Sequence, residues 1–202
     1  MNTERFPVGS RFLVRWVLLT ASGYALGFVA GFLLGHAILG NAGVGVGIGA
    51  GVGLTQWTLL RGRIPESGRW ALVNMLCLGV ALAVFALVSF ASGYSMDLGW
   101  PHGAMGWAVA FLLGGAMIGR LEQGALRRSL GRAEHWPLVC AVGWGLSVLG
   151  LAIPPDMTSE MPVALVLVRN GLLAPAAAGI ALGVVTGAGL LRFLRQPAPE
   201  SA

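Results

Sequence analysis

Few side chains in this sequence could do chemistry inside apolar surroundings, and several recur at a fixed spacing. Gln56 and Gln123 each stand five residues before an Arg, Arg61 and Arg128, and Arg195 follows after the same interval of 67 residues with no Gln before it. A Gln amide near a helix end donates and accepts, so it can cap a carbonyl or line a small polar site between helices. An Arg at the same end can anchor the helix to phosphate headgroups, or clamp a phosphate or carboxylate through two parallel donors. Asn74 lies a turn inside an apolar run, where an inward amide can bond a neighbouring helix. His36 titrates near neutral pH and is the candidate for a proton-linked group. Arg169 follows the apolar stretch Val163–Val168 and is expected at a membrane surface. These residues make no catalytic set. The sequence shows no carboxylate pair within an apolar run, no His cluster at metal spacing, and no Lys for a Walker loop or Schiff base. The Gly-x-Ser-Gly nucleophile of an intramembrane serine protease is missing from the fourth apolar run, and its His from the sixth. Cys77 and Cys140 sit at different places in their runs, so neither a disulfide framework nor a metal site follows. No enzyme activity and no cofactor are expected.

The elements that must carry these residues are membrane helices. Hydrophobic residues make up 56% of the chain and charged residues 10%, and the apolar runs reach the roughly 20 residues that cross a hydrocarbon layer. Segments such as Trp70–Phe90 are apolar on every side, which a soluble amphipathic helix would not be. Six spans are predicted: Phe12–Leu39, Ala42–Leu60, Trp70–Ser92, Gly103–Ile118, Trp136–Ile153 and Gly171–Leu191, the first retained rather than cleaved as a signal peptide. The formal charge of +5 rests on Arg alone, and those Arg adjoin apolar segments, so anionic lipid rather than nucleic acid is the expected partner. Arg5 and Arg11 precede the first span, Arg15 lies in its first turn, and every other Arg except Arg169 falls in the third, fifth or seventh interval, which puts both termini and the Arg-rich loops in the cytoplasm. Trp16, Trp57, Trp70, Trp100 and Trp136 lie near helix ends, where an interfacial aromatic belt would place them.

Glycines draw stripes along three of these helices. Gly23, Gly27, Gly31 and Gly35 repeat every fourth residue in the first span, and Gly179, Gly183 and Gly187 in the last. In the second, Gly43, Gly47 and Gly51 interleave with Gly45, Gly49 and Gly53, so this helix is expected to be clasped on two sides. Read locally, Gly45-x-Gly47-x-x-Ala50 fits a loose dinucleotide fingerprint, but that motif needs a preceding strand and a soluble crossover. With the recurring Gln, Arg and Trp, and Ala21-Ser22-Gly23-Tyr24 echoed by Ala91-Ser92-Gly93-Tyr94, the chain reads as three helical hairpins over about 12–69, 70–135 and 136–195. The expected fold is an all-α polytopic bundle forming a single transmembrane domain over 1–202, with a disordered tail at 196–202.

At Gly53-Leu54-Thr55-Gln56-Trp57-Thr58-Leu59-Leu60-Arg61, followed by Arg69-Trp70-Ala71-Leu72, the sequence resembles uncharacterised bacterial multi-pass membrane proteins with glycine-rich hairpins and a Gln-Trp-x-x-Leu-Arg turn. The resemblance implies a bacterial cytoplasmic-membrane location and the fold, and no activity. The functional expectation is a structural or accessory component that associates with itself or a partner complex through its glycine-striped helices. The alternative is a small transporter or channel with a pathway between the hairpins.

Overall fold

The computed structural model of the chain describes residues 9–61, 64, 66–91, 102–130, 133–151 and 168–195. They fold as six helices: α1 (Ser10–Ala30), α2 (Asn41–Leu60), α3 (Arg69–Ala91), α4 (His102–Leu130), α5 (Trp136–Leu151) and α6 (Ala174–Arg195). No strand occurs among the described residues. α1 runs on through a π-helical turn, Gly31–Gly35, and a last turn, His36–Leu39; a second π turn, Arg169–Leu173, leads into α6. Gly40 alone joins α1 to α2, with φ +57° and ψ −138°, a conformation that a Cβ makes costly. Glu66 takes φ +63° in the turn between α2 and α3, a left-handed residue that costs about 1–2 kcal/mol without glycine.

Five stretches are long and apolar enough to cross a membrane: Ser10–Leu34, Ala42–Leu60, Arg69–Val88, Met105–Ser129 and Arg169–Leu194. α5 is apolar but shorter, 16 residues, about 24 Å at the helical rise per residue. The expected fifth span to Ile153 is therefore described only to Leu151. A larger departure is α4. Its span was expected to end at Ile118, but the helix continues to Leu130, so Arg120, Gln123, Arg127 and Arg128 ride on a helix rather than in a loop.

The helices close into a ring in the order α1, α2, α3, α4, α5, α6 and back to α1. Every neighbouring pair is antiparallel, as the glycines show. A Cβ on Gly23, Gly27 or Gly31 of α1 would collide with the backbone at Gly51, Gly47 or Gly43 of α2, in reverse order. The other stripe of α2 meets α3: Gly45 lies against the Leu78 backbone, Gly49 against Asn74 and Gly53 against Ala71. On α6, a Cβ at Gly179 would come within 2.6 Å of Ala21 Cα, and one at Gly183 within 2.9 Å of Val17 Cα. Gly187 faces the side chains of Trp16 and Leu13 instead. Backbones this close exchange side-chain volume for main-chain dispersion contacts, the means by which helices associate where no water drives them together. Gly35 lies in the π turn of α1.

Aromatic side chains fill the interior. Tyr24 of α1 meets Trp144 of α5 across the ring at 6.0 Å, and Phe111 of α4 packs on the same indole at 6.0 Å. Nearer the Arg-rich end, Trp70 of α3 meets Trp136 of α5 at 6.4 Å, and Trp136 meets Phe193 of α6 edge-on at 6.2 Å. The outer surface carries Leu18, Leu26, Leu54, Leu87, Leu138 and Leu149, all more than half exposed.

Candidate functional site

Many of the buried polar side chains gather at the Arg-rich end of the ring, and three of them, Gln56, Glu122 and Thr186, are tied to an indole. Three tryptophans, on α1, α3 and α5, each donate Nε1–H to a polar side chain on a helix beside their own. Trp70 donates to Gln56 Oε1 at 3.1 Å, Trp136 to Glu122 Oε2 at 2.9 Å, and Trp16 to Thr186 Oγ1 at 3.1 Å. All three indoles are at most 2% exposed. Trp16, Trp70 and Trp136 are therefore interior residues and not members of an interfacial belt. The reason is chemical: an indole N–H inside an apolar bundle needs an acceptor, and a polar side chain on a neighbouring helix supplies one. Trp57 keeps a partly exposed place, with the Arg61 guanidinium 6.0 Å from its ring centroid. Trp100 lies outside the described residues.

The two best-developed sites share one plan and differ in the acceptor. At the first, Gln56 accepts from Trp70 and donates Nε2–H to Thr20 Oγ1 at 3.3 Å, using both ends of its amide. At the second, Glu122 is 4% exposed, and its ionised form offers only acceptors. Its Oε1 accepts from Asn74 Nδ2 at 2.8 Å, and its Oε2 accepts from Trp136 and, at 3.9 Å, from the thiol of Cys140. Asn74 divides its amide protons between Glu122 and the Trp70 carbonyl at 2.8 Å. The Asn74 and Trp70 of α3 thus link the two sites. Among the described residues, every buried side-chain N or O has a hydrogen-bond partner. Further along the interior, Tyr24 Oη and Ser147 Oγ lie 3.4 Å apart, and Ser147 donates to the Trp144 carbonyl at 2.6 Å.

Gln123 does something different from Gln56, although the Arg spacing pairs them. Its Nε2 donates to the carbonyls of Ala133 at 2.8 Å and Glu134 at 3.2 Å, and its Oε1 accepts from Arg120 at 2.6 Å, fixing the turn between α4 and α5. The neighbour that matches Gln56 is Glu122, because each accepts an indole proton from the Trp 14 residues on. That shared interval was present in the sequence. A fourth span ending at Ile118 leaves Glu122 outside the membrane, whereas the helix carries it onward to Leu130.

The Arg residues also divide. Arg128 pairs with Glu66 at 2.7 Å, and Arg69 pairs with the same oxygen at 3.2 Å, so Arg128 has a carboxylate partner from the turn between α2 and α3. Arg61 stands exposed over Trp57. The side chains of Arg195 and His36 lie outside the described residues. Arg169 opens the π turn before α6.

Chemically, the Glu122 site can hold a carboxyl group in one orientation and can carry a proton. The thiol beside it, Cys140, is buried and donates to Glu122 Oε2 at 3.9 Å, and no group of three or more His, Cys, Asp or Glu that could hold a metal ion occurs among the described residues. Cys77 and Cys140 are both buried free thiols, on α3 and α5. No protein-family model, curated protein or solved structure matches this chain.

Proposed function

We propose that this protein is an integral component of the bacterial cytoplasmic membrane with a structural or accessory role, built from three hairpin repeats. The observation that carries the reading is the filled interior. Tyr24, Phe111, Trp144, Trp70 and Trp136 occupy the space inside the ring, and the polar atoms beside them are bonded to one another rather than left facing a path. Three indole-to-polar pairs, one at each junction between two hairpins, support the repeat. The placement of twelve of the thirteen Arg toward one end supports cytoplasmic termini under the positive-inside rule. Partners, whether lipid, a second copy or another membrane complex, meet the leucine-rich outer surface, since the glycine faces are occupied within the chain.

The second reading, a small transporter, draws on Glu122. An ionisable group inside a membrane span is costly and commonly marks a conduction or proton path. Purified protein in sealed liposomes separates the two. The structural reading expects proton and solute leak equal to that of empty vesicles. A proton flux lost in Glu122→Gln would overturn it in favour of transport. Topology is checked by reporters fused after Arg63 or Arg128, expected cytoplasmic, and near Asp97 or Asp156, expected external.

A further inference from the structure

A half-open groove of about 470 Å³ lies between the start of α5 and the end of α6, within the roughly 300–1,000 Å³ common for small-molecule sites. Its lining is graded. Arg192, His135 and Glu134 stand at the Arg-rich end, and Val139, Ala188 and Gly189 continue it along the helices. Two features hold this shape. Gln123, itself 3% exposed, bonds the carbonyls of Ala133 and Glu134 and so fixes the turn that presents Glu134 and His135. Gly189 lets α6 come close to Val139, which a Cβ there would meet at 2.6 Å, and the exposed Ala188 is small where much of the outer surface carries Leu, so the groove stays open along α6. Among the described residues nothing pairs with the Arg192 guanidinium, and the Glu134 carboxylate has no cation within ion-pair distance.

We infer that this groove binds one phospholipid whose headgroup carries both a phosphate and a primary ammonium, as phosphatidylethanolamine does. Arg192 and His135 supply donors for the phosphate oxygens, Glu134 accepts from the ammonium, and an acyl chain lies over Val139 and Ala188. A single-sign headgroup would leave Glu134 or Arg192 unmatched, and a quaternary ammonium has no N–H to give. The inference rests on the membrane reading. Resistance of the full chain to alkaline extraction from membranes tests that reading separately.

The test is native mass spectrometry of the detergent-purified full chain, titrated with phosphatidylethanolamine, phosphatidylcholine or phosphatidylglycerol of identical acyl chains, and with free phosphoethanolamine. The expected result is a single phosphatidylethanolamine adduct preferred over the other lipids by about tenfold, the scale of one charge-assisted hydrogen bond. Arg192→Gln and Glu134→Gln should each remove the preference, and Ala188→Leu, at an exposed position, should remove the adduct by filling the groove. Arg11→Gln, exposed on α1 and not in the groove lining, should change nothing. Equal binding of all three lipids, or a preference that survives both charge variants, would overturn the proposal. Equal binding of free phosphoethanolamine would also overturn it, by assigning the groove to a soluble ligand.

Discussion

The Gln56 and Glu122 sites are the same construction with different acceptors, and the difference shows what a buried carboxyl demands of its surroundings. Both receive an indole N–H from a Trp 14 residues on. The amide of Gln56 can complete itself against one hydroxyl, because it donates as well as accepts. The carboxyl of Glu122 only accepts when ionised, so it needs further donors, and α3 and α5 provide Asn74 and Cys140. Asn74 is thus explained by Glu122. Its amide lies inside an apolar helix because the carboxyl of a neighbouring helix requires it.

The comparison breaks most sharply on deletion. Glu122→Leu leaves one Asn74 amide proton and the Trp136 indole without acceptors, at about 1–3 kcal/mol each, while the other Asn74 proton keeps the Trp70 carbonyl. Gln56→Leu strands only Trp70, while Thr20 is a hydroxyl that can turn to a helix carbonyl, so its cost should be about 1 kcal/mol. Reversible unfolding in mixed detergent should rank Glu122→Leu well below Gln56→Leu. Equal losses would mean that the two acceptors are interchangeable.

Exchange of the acceptors is the next test. Glu122→Gln should cost about 1 kcal/mol, because its carbonyl still takes the Trp136 proton and the Asn74 side chain can turn to accept from its amide. Gln56→Glu places a carboxyl where Trp70 and Thr20 are the nearby partners and nothing stands in for Asn74. The loss there should be about 2–3 kcal/mol, close to the insertion cost of a charge in a membrane helix. A Gln56→Glu variant as stable as Glu122→Gln would refute the argument that Asn74 is present for the carboxyl.

Removing the donors gives smaller numbers. Where Glu122 is ionised, Trp136→Phe should cost more than Trp70→Phe, since a hydrogen bond to a charged group is worth about 1.5–3 kcal/mol and one to a neutral amide about 0.5–1.5. Membrane polar contacts average only about 0.6 kcal/mol in measured cycles, so the ordering is the firmer expectation. Thermal denaturation of the two single variants in one detergent checks it.

How legible all this was in the sequence depends on which physical signal carried each part. Apolar length marks six spans, and the chain forms six helices of which five are long and apolar enough to cross a membrane, because lipid admits few alternatives to a helix. The fourth-residue glycine spacing placed the helix faces that lie backbone to backbone, since nothing but a close neighbour accounts for missing side chains along a whole stripe. Burial of polar groups was less readable. Arg120 and Glu122 lower the hydropathy after Ile118 and mimic the end of a span, although Glu122 faces inward with donors on two other helices. A Trp near a helix end fits the lipid interface as well as it fits an interior acceptor, so position in the sequence does not separate the buried Trp16, Trp70 and Trp136 from the partly exposed Trp57. Contacts between residues 48 or 170 positions apart, such as Asn74 with Glu122 and Trp16 with Thr186, leave no local trace.

The smallest expected effect concerns the link between the two sites on the outside of the bundle. Arg128 of α4 reaches Glu66, in the turn that joins the helix of Gln56 to the helix of Trp70, with both side chains substantially exposed. Exposed ion pairs contribute about 0–1 kcal/mol, and Lys keeps the charge while losing the forked donor geometry. Arg128→Lys should therefore change unfolding by no more than a few tenths of a kcal/mol, and Glu66→Gly by little more. Glycine removes both salt bridges but relieves the φ of +63°, so its two effects oppose. Added salt should erase what difference remains between parent and Arg128→Lys. A loss of 2 kcal/mol or more in Arg128→Lys, by contrast, would show that the turn between α2 and α3 must be clamped to α4 for the Gln56 and Glu122 sites to form together.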